Sequence, residues 1–302
     1  MDLPAGDSDG RSLSSLTELV NLLLAGKVDE EVNRIIYGGR LLAMSKKGGG
    51  VRPIAVGYVL RCLAAKCANS HVIEQRCRAL QPRQVGVGVA GGAEAAVHAR
   101  RHINQLPPGH AIIKLDFYNA FNSIGRDLLL DTVPRNMPEL YRFTLATYSC
   151  EPSLTFGDQV IPSREGSQQG DPLSALKFCE SIQPVINELD SDLEIGFMDD
   201  LSLSSDLPTL AKDVKTIIDS EPVTGLRLNA SKCEIISEDF NLIESFEVFK
   251  DFARVTKEEM TLLGAPILQG PALDRALQIE VDDLTRAVDR LIWFTPMTPW
   301  SC

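Results

Sequence analysis

The apolar and polar positions along the chain fall into short segments of two periods. From Leu13 to Gly26 apolar residues recur at helical spacing and stop at a glycine suited to a C-cap, predicting an amphipathic helix. SKKGGGVRPIAVG, Ser45 to Gly57, predicts two short strands around a basic, glycine-rich turn. Ala55 to Arg78 predicts a helix carrying Arg61, Lys66, Arg76 and Arg78, with glycine-rich pieces at 86–89 and 91–92 after it. A helix from Glu94 to Gln105 ends before Pro107-Pro108-Gly109. AIIKLDF, 111 to 117, reads as a short buried strand by composition and length. Arg126 to Val133 predicts a helix, and Ser153 to Pro162 a hairpin turning at Gly157-Asp158. Leu173 to Leu189 predicts a helix that Pro184 should kink or end. A strand pair around Asp199-Asp200, a helix from Leu207 to Asp219 and a strand from Lys232 to Ser237 follow. Strands and helices mix without a βαβ repeat, so the expected class is α+β, and no internal repeat is visible.

Composition changes this picture little. With 302 residues, 44% hydrophobic and 24% charged, the chain has room for one large domain or two modest ones. No run reaches the roughly 18 apolar residues of a membrane span. The start, MDLPAGDSDGRSLSS, is polar and acidic, unlike a signal peptide, and residues 1–14 are disordered by composition. The expected location is therefore intracellular, nuclear or cytoplasmic, without a membrane partner. Seven scattered cysteines, with no CxxC pair and no zinc-like cluster, fit free thiols in a reducing compartment.

Charge is segregated. Val32 to Gln105 holds twelve Lys or Arg against two acids, a local +10, which leaves −21 for the remainder of a chain whose net charge is −11. A basic stretch of this kind suits a surface that meets phosphates, although a solvated face would also account for it.

Three places carry candidate chemistry. Asp199 and Asp200 stand side by side between apolar strands, where they repel each other; a turn or a bound cation would each explain them. Asp116 stands at the end of the buried strand predicted at 111–117. In SREGSQQGDPLSALKF, Gly170 allows a sharp turn close to a ligand, while Asp171 and Pro172 read as the N-cap and first residue of a helix.

In this order, LDFYNAFN, SQQGDPLS and GFMDD resemble motifs A, B and C of reverse transcriptases. KKGGGVRPIAVG resembles the fingers segment, GLRLNASKCEII the motif after the catalytic hairpin, and LLGAPI the primer-grip turn. The resemblance is closest to enzymes of non-LTR (LINE-type) retrotransposons and runs from about Leu13 to Leu291. It implies a right-hand polymerase fold, with fingers at 15–110, a palm at 111–270, a truncated thumb start and tail at 271–302, and a reverse transcriptase domain at about 30–268. It further implies two Mg²⁺ ions, replaceable by Mn²⁺, on Asp116, Asp199, the Phe117 carbonyl and the neighbouring Asp200. Phe121 matches a steric gate that rejects a 2′-hydroxyl, and Gln169 and Gly170 match the loop at the incoming nucleotide. Lys46, Lys47 and Arg52 match the triphosphate clamp, Asn119 lies near the triphosphate, and Lys232 matches a general acid. The implied partners are an RNA template, a DNA primer and dNTPs.

The resemblance has gaps. The sequence reaches FTPMTPWSC where thumb helices would begin, and it shows neither an endonuclease domain nor a CCHC knuckle. With an acidic palm, weak grip on primer-template is the expectation. The rival readings are an inactive nucleic-acid-binding remnant, an RNA-templated RNA polymerase on the same palm, and an unrelated α+β interaction protein. Phe121 argues against the RNA polymerase, which needs a residue tolerant of the 2′-hydroxyl.

Overall fold

The computed structural model describes residues 10–45, 50–94, 106–237, 240–266 and 268–292. In chain order, helices α1 (Arg11–Leu24) and α2 (Glu30–Ile36) lead into strands β1 (Gly39–Ser45) and β2 (Val51–Gly57), helix α3 (Val59–Leu80) and strand β3 (His110–Leu115). Helices α4 (Arg126–Asn136) and α5 (Tyr141–Tyr148), strands β4 (Ser153–Phe156) and β5 (Gln159–Pro162) and helix α6 (Ser174–Asn187) follow. The chain continues through β6 (Leu193–Phe197), β7 (Asp200–Asp206), α7 (Leu207–Asp219), β8 (Glu234–Ser237) and β9 (Ala253–Arg254). A small hairpin, β10 (Thr261–Leu262) and β11 (Ala265–Pro266), precedes helix α8 (Pro271–Ile292).

Among the described residues, these strands make a four-stranded sheet ordered β2-β1-β4-β5 and a five-stranded sheet ordered β6-β7-β3-β8-β9. β3 is central in the second, antiparallel to both neighbours, with Leu115 opposite Leu201 and Ile113 opposite Ile235. Its period-two alternation sends Ala111, Ile113 and Leu115 into a cluster with Leu210 and Val214 of α7. Ile112 points the other way, to Ile236, Met260 and Leu262. A separate core gathers Leu23, Ala64, Val133, Phe143 and Phe178 from α1, α3, α4, α5 and α6.

Several local expectations give way to long-range packing. Helix α1 starts at Arg11, so 11–14 form its first turn instead of a disordered tail; burial of Val20 and Leu23 holds the helix down. The helix expected from Ala55 begins at Val59, because Ala55 to Gly57 pair with Leu41 to Gly39 in β2. Pro184 lies inside α6 without ending it. That helix buries Leu176, Phe178, Cys179 and Ile182, and tertiary burial outweighs one missing backbone bond. The predicted helix at 94–105 falls outside the described residues except for Glu94. Helix α7 spans Leu207–Asp219 as expected, with the Asp206 carboxylate accepting the Thr209 N–H at its N-cap.

The basic stretch is partly neutralised by acids that lie mostly elsewhere in the chain. Arg61 is buried against Asp171, and Arg34, Arg76, Arg78 and Arg83 pair with Glu30, Glu180, Glu74 and Glu194. Among the described residues this leaves Arg40, Arg52 and Lys66 exposed outside those pairs. No helix among the described residues is long and apolar enough to cross a membrane.

Candidate active site

β3 carries Asp116 out of the centre of the five-stranded sheet. Its backbone carbonyl accepts the Asn229 N–H at 2.8 Å, and its Oδ2 accepts the Asn229 side-chain amide at 2.9 Å. Phe117 pairs with Leu228 in an antiparallel bridge, which fixes the path of the chain just beyond the strand. β6 and β7 pair with Phe197 opposite Asp200, so Met198 and Asp199 form a two-residue hairpin turn. Because β7 lies beside β3, that turn stands next to Asp116.

A cavity of about 320 Å³ opens at this point. Asp116, Phe117, Asn119, Phe121 and Asp199 line it. Arg52, Gln169 and Lys232 complete it, together with Asn229 and Ser231. The carboxyl of Asp199 is pushed above its usual range by burial and by the neighbouring Asp116 charge, with Arg52 pulling the other way. Asp200 is set apart. It lines a second cavity of about 140 Å³ with Lys114, Phe197 and the Leu262 to Gly264 turn. Desolvation, then Asp199 and Asp116, nevertheless push its pKa up to about 6.

The remaining residues singled out from sequence are placed as follows. Phe121 stacks on Phe178, with ring centroids 4.7 Å apart and planes 25° from parallel. Asn119 adopts a left-handed φ of 45°, which asparagine tolerates well, and starts the turn at Ala120–Ser123. The Gln169 carbonyl accepts the Ala55 N–H of β2 at 2.9 Å. Gly170 has φ +122°, and a Cβ there would lie 2.5 Å from the Ala55 carbonyl oxygen, so only glycine fits. Lys46 and Lys47 lie outside the described residues.

Asp171 departs from its expected role. Helix α6 begins at Ser174, so Asp171 is not its N-cap. It is buried, with Arg61 at 3.0 Å and Lys177 at 3.1 Å, and it accepts the Leu173 N–H at 3.0 Å. Burial alone would raise its pKa; Lys177 and Arg61 outweigh that and hold it far below the usual carboxylate range. Arg61 also donates to the Tyr37 carbonyl at 3.0 Å and to the Gln168 side chain, anchoring the loop that carries Gln169 and Gly170. Sequence reading also passed over Asn229, which lies within GLRLNASKCEII three residues before Lys232, and Gln84, which stands two residues before the glycine-rich piece at 86–89.

Among the described residues, no three His, Cys, Asp or Glu side chains converge as a ready-made metal cage. The donors at hand are the hard oxygens of Asp116, Asp199 and the nearby carbonyls. This set fits Mg²⁺, an ion that keeps water and substrate phosphate in its shell. The repulsion between Asp116 and Asp199 is what a divalent cation would relieve.

No curated protein sequence matches the chain. Among solved structures, apo telomerase from Candida tropicalis is similar at TM-score 0.54 and 13% identity, over 76% of this chain and 50% of that one. Telomerase from Candida albicans in complex with a TWJ fragment of telomeric RNA is similar at 0.54 and 10%, over 74% and 46%. Telomerase from Candida tropicalis in complex with such a fragment gives 0.55 and 14%, over 77% and 43%. The chain thus spans about half the length of these proteins or less, and at such identities the likeness is one of fold. Residues 44–267, about three quarters of the sequence, match the family model described as reverse transcriptase (RNA-dependent DNA polymerase). With its α+β polymerase fold, the chain belongs to the reverse transcriptase family.

Proposed function

We propose that this chain is the polymerase part of a non-LTR (LINE-type) retrotransposon enzyme, adding dNTPs to a primer 3′-hydroxyl on an RNA template. The observation that carries the reading is the single cavity shared by Asp116, Asp199, Arg52, Gln169 and Phe121. The order and wording of LDFYNAFN, SQQGDPLS and GFMDD support the retrotransposon type. On this reading 15–110 act as fingers, 111–270 as palm, and α8 starts the thumb.

Asp116, Asp199 and the Phe117 carbonyl would hold two divalent ions, Mg²⁺ or Mn²⁺, with Asp200 adding charge from beside them. Bound there, such ions stabilise the attacking and leaving oxygens of an in-line displacement. The primer 3′-hydroxyl loses its proton to water, and its oxygen forms a bond to the α-phosphorus as the bond from that phosphorus to the bridging oxygen breaks. Lys232 gives a proton to the departing pyrophosphate. Arg52 grips the triphosphate, where a guanidinium can donate two parallel hydrogen bonds, and Lys46 and Lys47 add charge. Phe121, backed by Phe178, closes the space a 2′-hydroxyl would occupy. Asn229 fixes the Asp116 carboxylate through its amide.

The test is primer extension on an RNA template with labelled dNTPs and Mg²⁺, comparing wild type with Asp116→Asn and Asp199→Asn. The expected result is incorporation lost by at least about 1,000-fold in both variants, equivalent to ~4 kcal/mol of transition-state stabilisation. Binding of primer-template without incorporation by the wild type would replace this reading with that of an inactive binding protein.

A further inference from the structure

We infer that Gln84 is a positioning residue that holds the Met198-Asp199 turn in its working shape; the inference rests on the functional reading above. Beyond the end of α3, residues 83–86 run parallel to β6 as a short extra edge. The Gly196 N–H donates to the Arg83 carbonyl at 2.7 Å, and the Val85 N–H donates to the Gly196 carbonyl at 2.8 Å. This brings Gln84, fully buried, against the hairpin turn.

Both ends of its amide are engaged. Oε1 accepts the Met198 N–H at 2.8 Å and the Gly86 N–H at 3.1 Å, while Nε2 donates to the Met198 carbonyl at 3.2 Å. One side chain therefore closes a ring on the backbone of a single residue. That residue is strained. Met198 has φ +58°, at the first turn position of a two-residue hairpin, where glycine is favoured. The close fit leaves no slack: a Cβ on Gly86 would lie 2.6 Å from the Met198 nitrogen.

The amide supplies an acceptor and a donor together at this reach, which an aliphatic side chain or an ionised carboxylate does not. Leucine would fill the volume but leave the Met198 N–H and carbonyl unpaired. The turn would then relax toward an ordinary conformation and swing Asp199, the next residue, away from Asp116. Gln84 touches neither substrate nor reacting atoms. Its effect passes through the backbone of Met198.

The experiment uses the full chain with Gln84→Leu, Met198→Gly and the double variant. Glycine at 198 removes the strain that Gln84 opposes, so the two changes should couple. Hydrogen exchange of the peptide spanning the turn should accelerate at least tenfold in Gln84→Leu, with Leu207–Asp219 unchanged. Mn²⁺ affinity, read by electron paramagnetic resonance on the protein without nucleotide, should weaken about tenfold. In primer extension kcat should fall about 50-fold with the dNTP KM within twofold, and by fivefold or less in the Met198→Gly background. Should Gln84→Leu fail to fold, Gln84→Asn, one methylene short of the turn, carries the same measurements. Unchanged exchange and Mn²⁺ affinity would overturn the inference, whatever the extension assay shows. A wild type that never incorporates nucleotide would overturn the polymerase reading, while the exchange data would still decide the role of Gln84.

Discussion

Replacing Asp171 by asparagine should destabilise the protein far more than removing a cation beside it. Arg61, Lys177 and Asp171 are all buried, and two positive charges share one negative one. Asp171→Asn leaves both cations buried without a counter-charge, and breaking a buried pair in this way costs about 3–5 kcal/mol. Lys177→Met leaves Arg61 and Asp171 as a balanced pair with their 3.0 Å contact intact. It loses a charge-assisted hydrogen bond of about 2 kcal/mol and the weaker contacts with Tyr148, but it also removes the repulsion between two buried cations, for a net cost of about 1 kcal/mol. At roughly 2 °C per kcal/mol for a chain of this size, Asp171→Asn should lower Tm by about 6–10 °C and Lys177→Met by about 2 °C. Thermal unfolding followed by intrinsic fluorescence at pH 7 and moderate salt measures both. Equal losses in the two variants would refute the charge argument and show that the cluster is held by shape alone.

Three further outcomes follow from single contacts. Gly170→Ala should reduce kcat/KM for dNTP at least tenfold, because the new methyl pushes the Gln169 loop off the Ala55 carbonyl; steady-state kinetics matching wild type would count against the role of this contact. Phe121→Val should lower the preference for deoxy- over ribonucleotides at least tenfold, measured as the ratio of kcat/KM values, and an unchanged ratio would remove Phe121 as the gate. Asp206→Ala should destabilise by about 1 kcal/mol at pH 7 through loss of a helix N-cap. The Asp206 pKa is lowered below 3.8, mainly by the Thr209 N–H, so its stabilisation is present above that pH and fades as pH falls below it. Melting curves of wild type and Asp206→Ala should therefore converge under acid conditions.

What could be read from sequence was whatever neighbours in the chain decide. The hairpin β4–β5 turns at Gly157-Asp158, and α7 keeps both predicted ends, since turn chemistry and an N-cap are local. Asp116 and Asp199 were visible because each ends an apolar strand and forms part of a recognisable motif. Asp171 was misread as an N-cap because its partner Arg61 is far away in sequence, on α3. Asn229 and Gln84 were invisible for the same reason: an amide declares its role only through partners, here 113 and 114 residues distant. The start of α3 was misplaced because the strand reading to Gly57 and the helix reading from Ala55 overlap, and pairing with β1 decides Ala55 to Gly57 for the strand.

The central place of β3 also bears on how the chain is made. This strand leaves the ribosome long before its neighbours, since β7 begins at Asp200 and β8 at Glu234. At roughly 5–20 residues per second, Ala111 to Leu115 wait about 5–25 s for the strands that will cover them. During that time an apolar segment with two unpaired edges is exposed on the nascent chain, a condition that invites chaperones and, at high expression, aggregation. Asp116 and Asp199 come to line one cavity only after the sheet closes, so assembly of the site is a late event in biogenesis. Slower translation beyond Leu115 would lengthen this interval and lower the yield of folded protein without altering any residue.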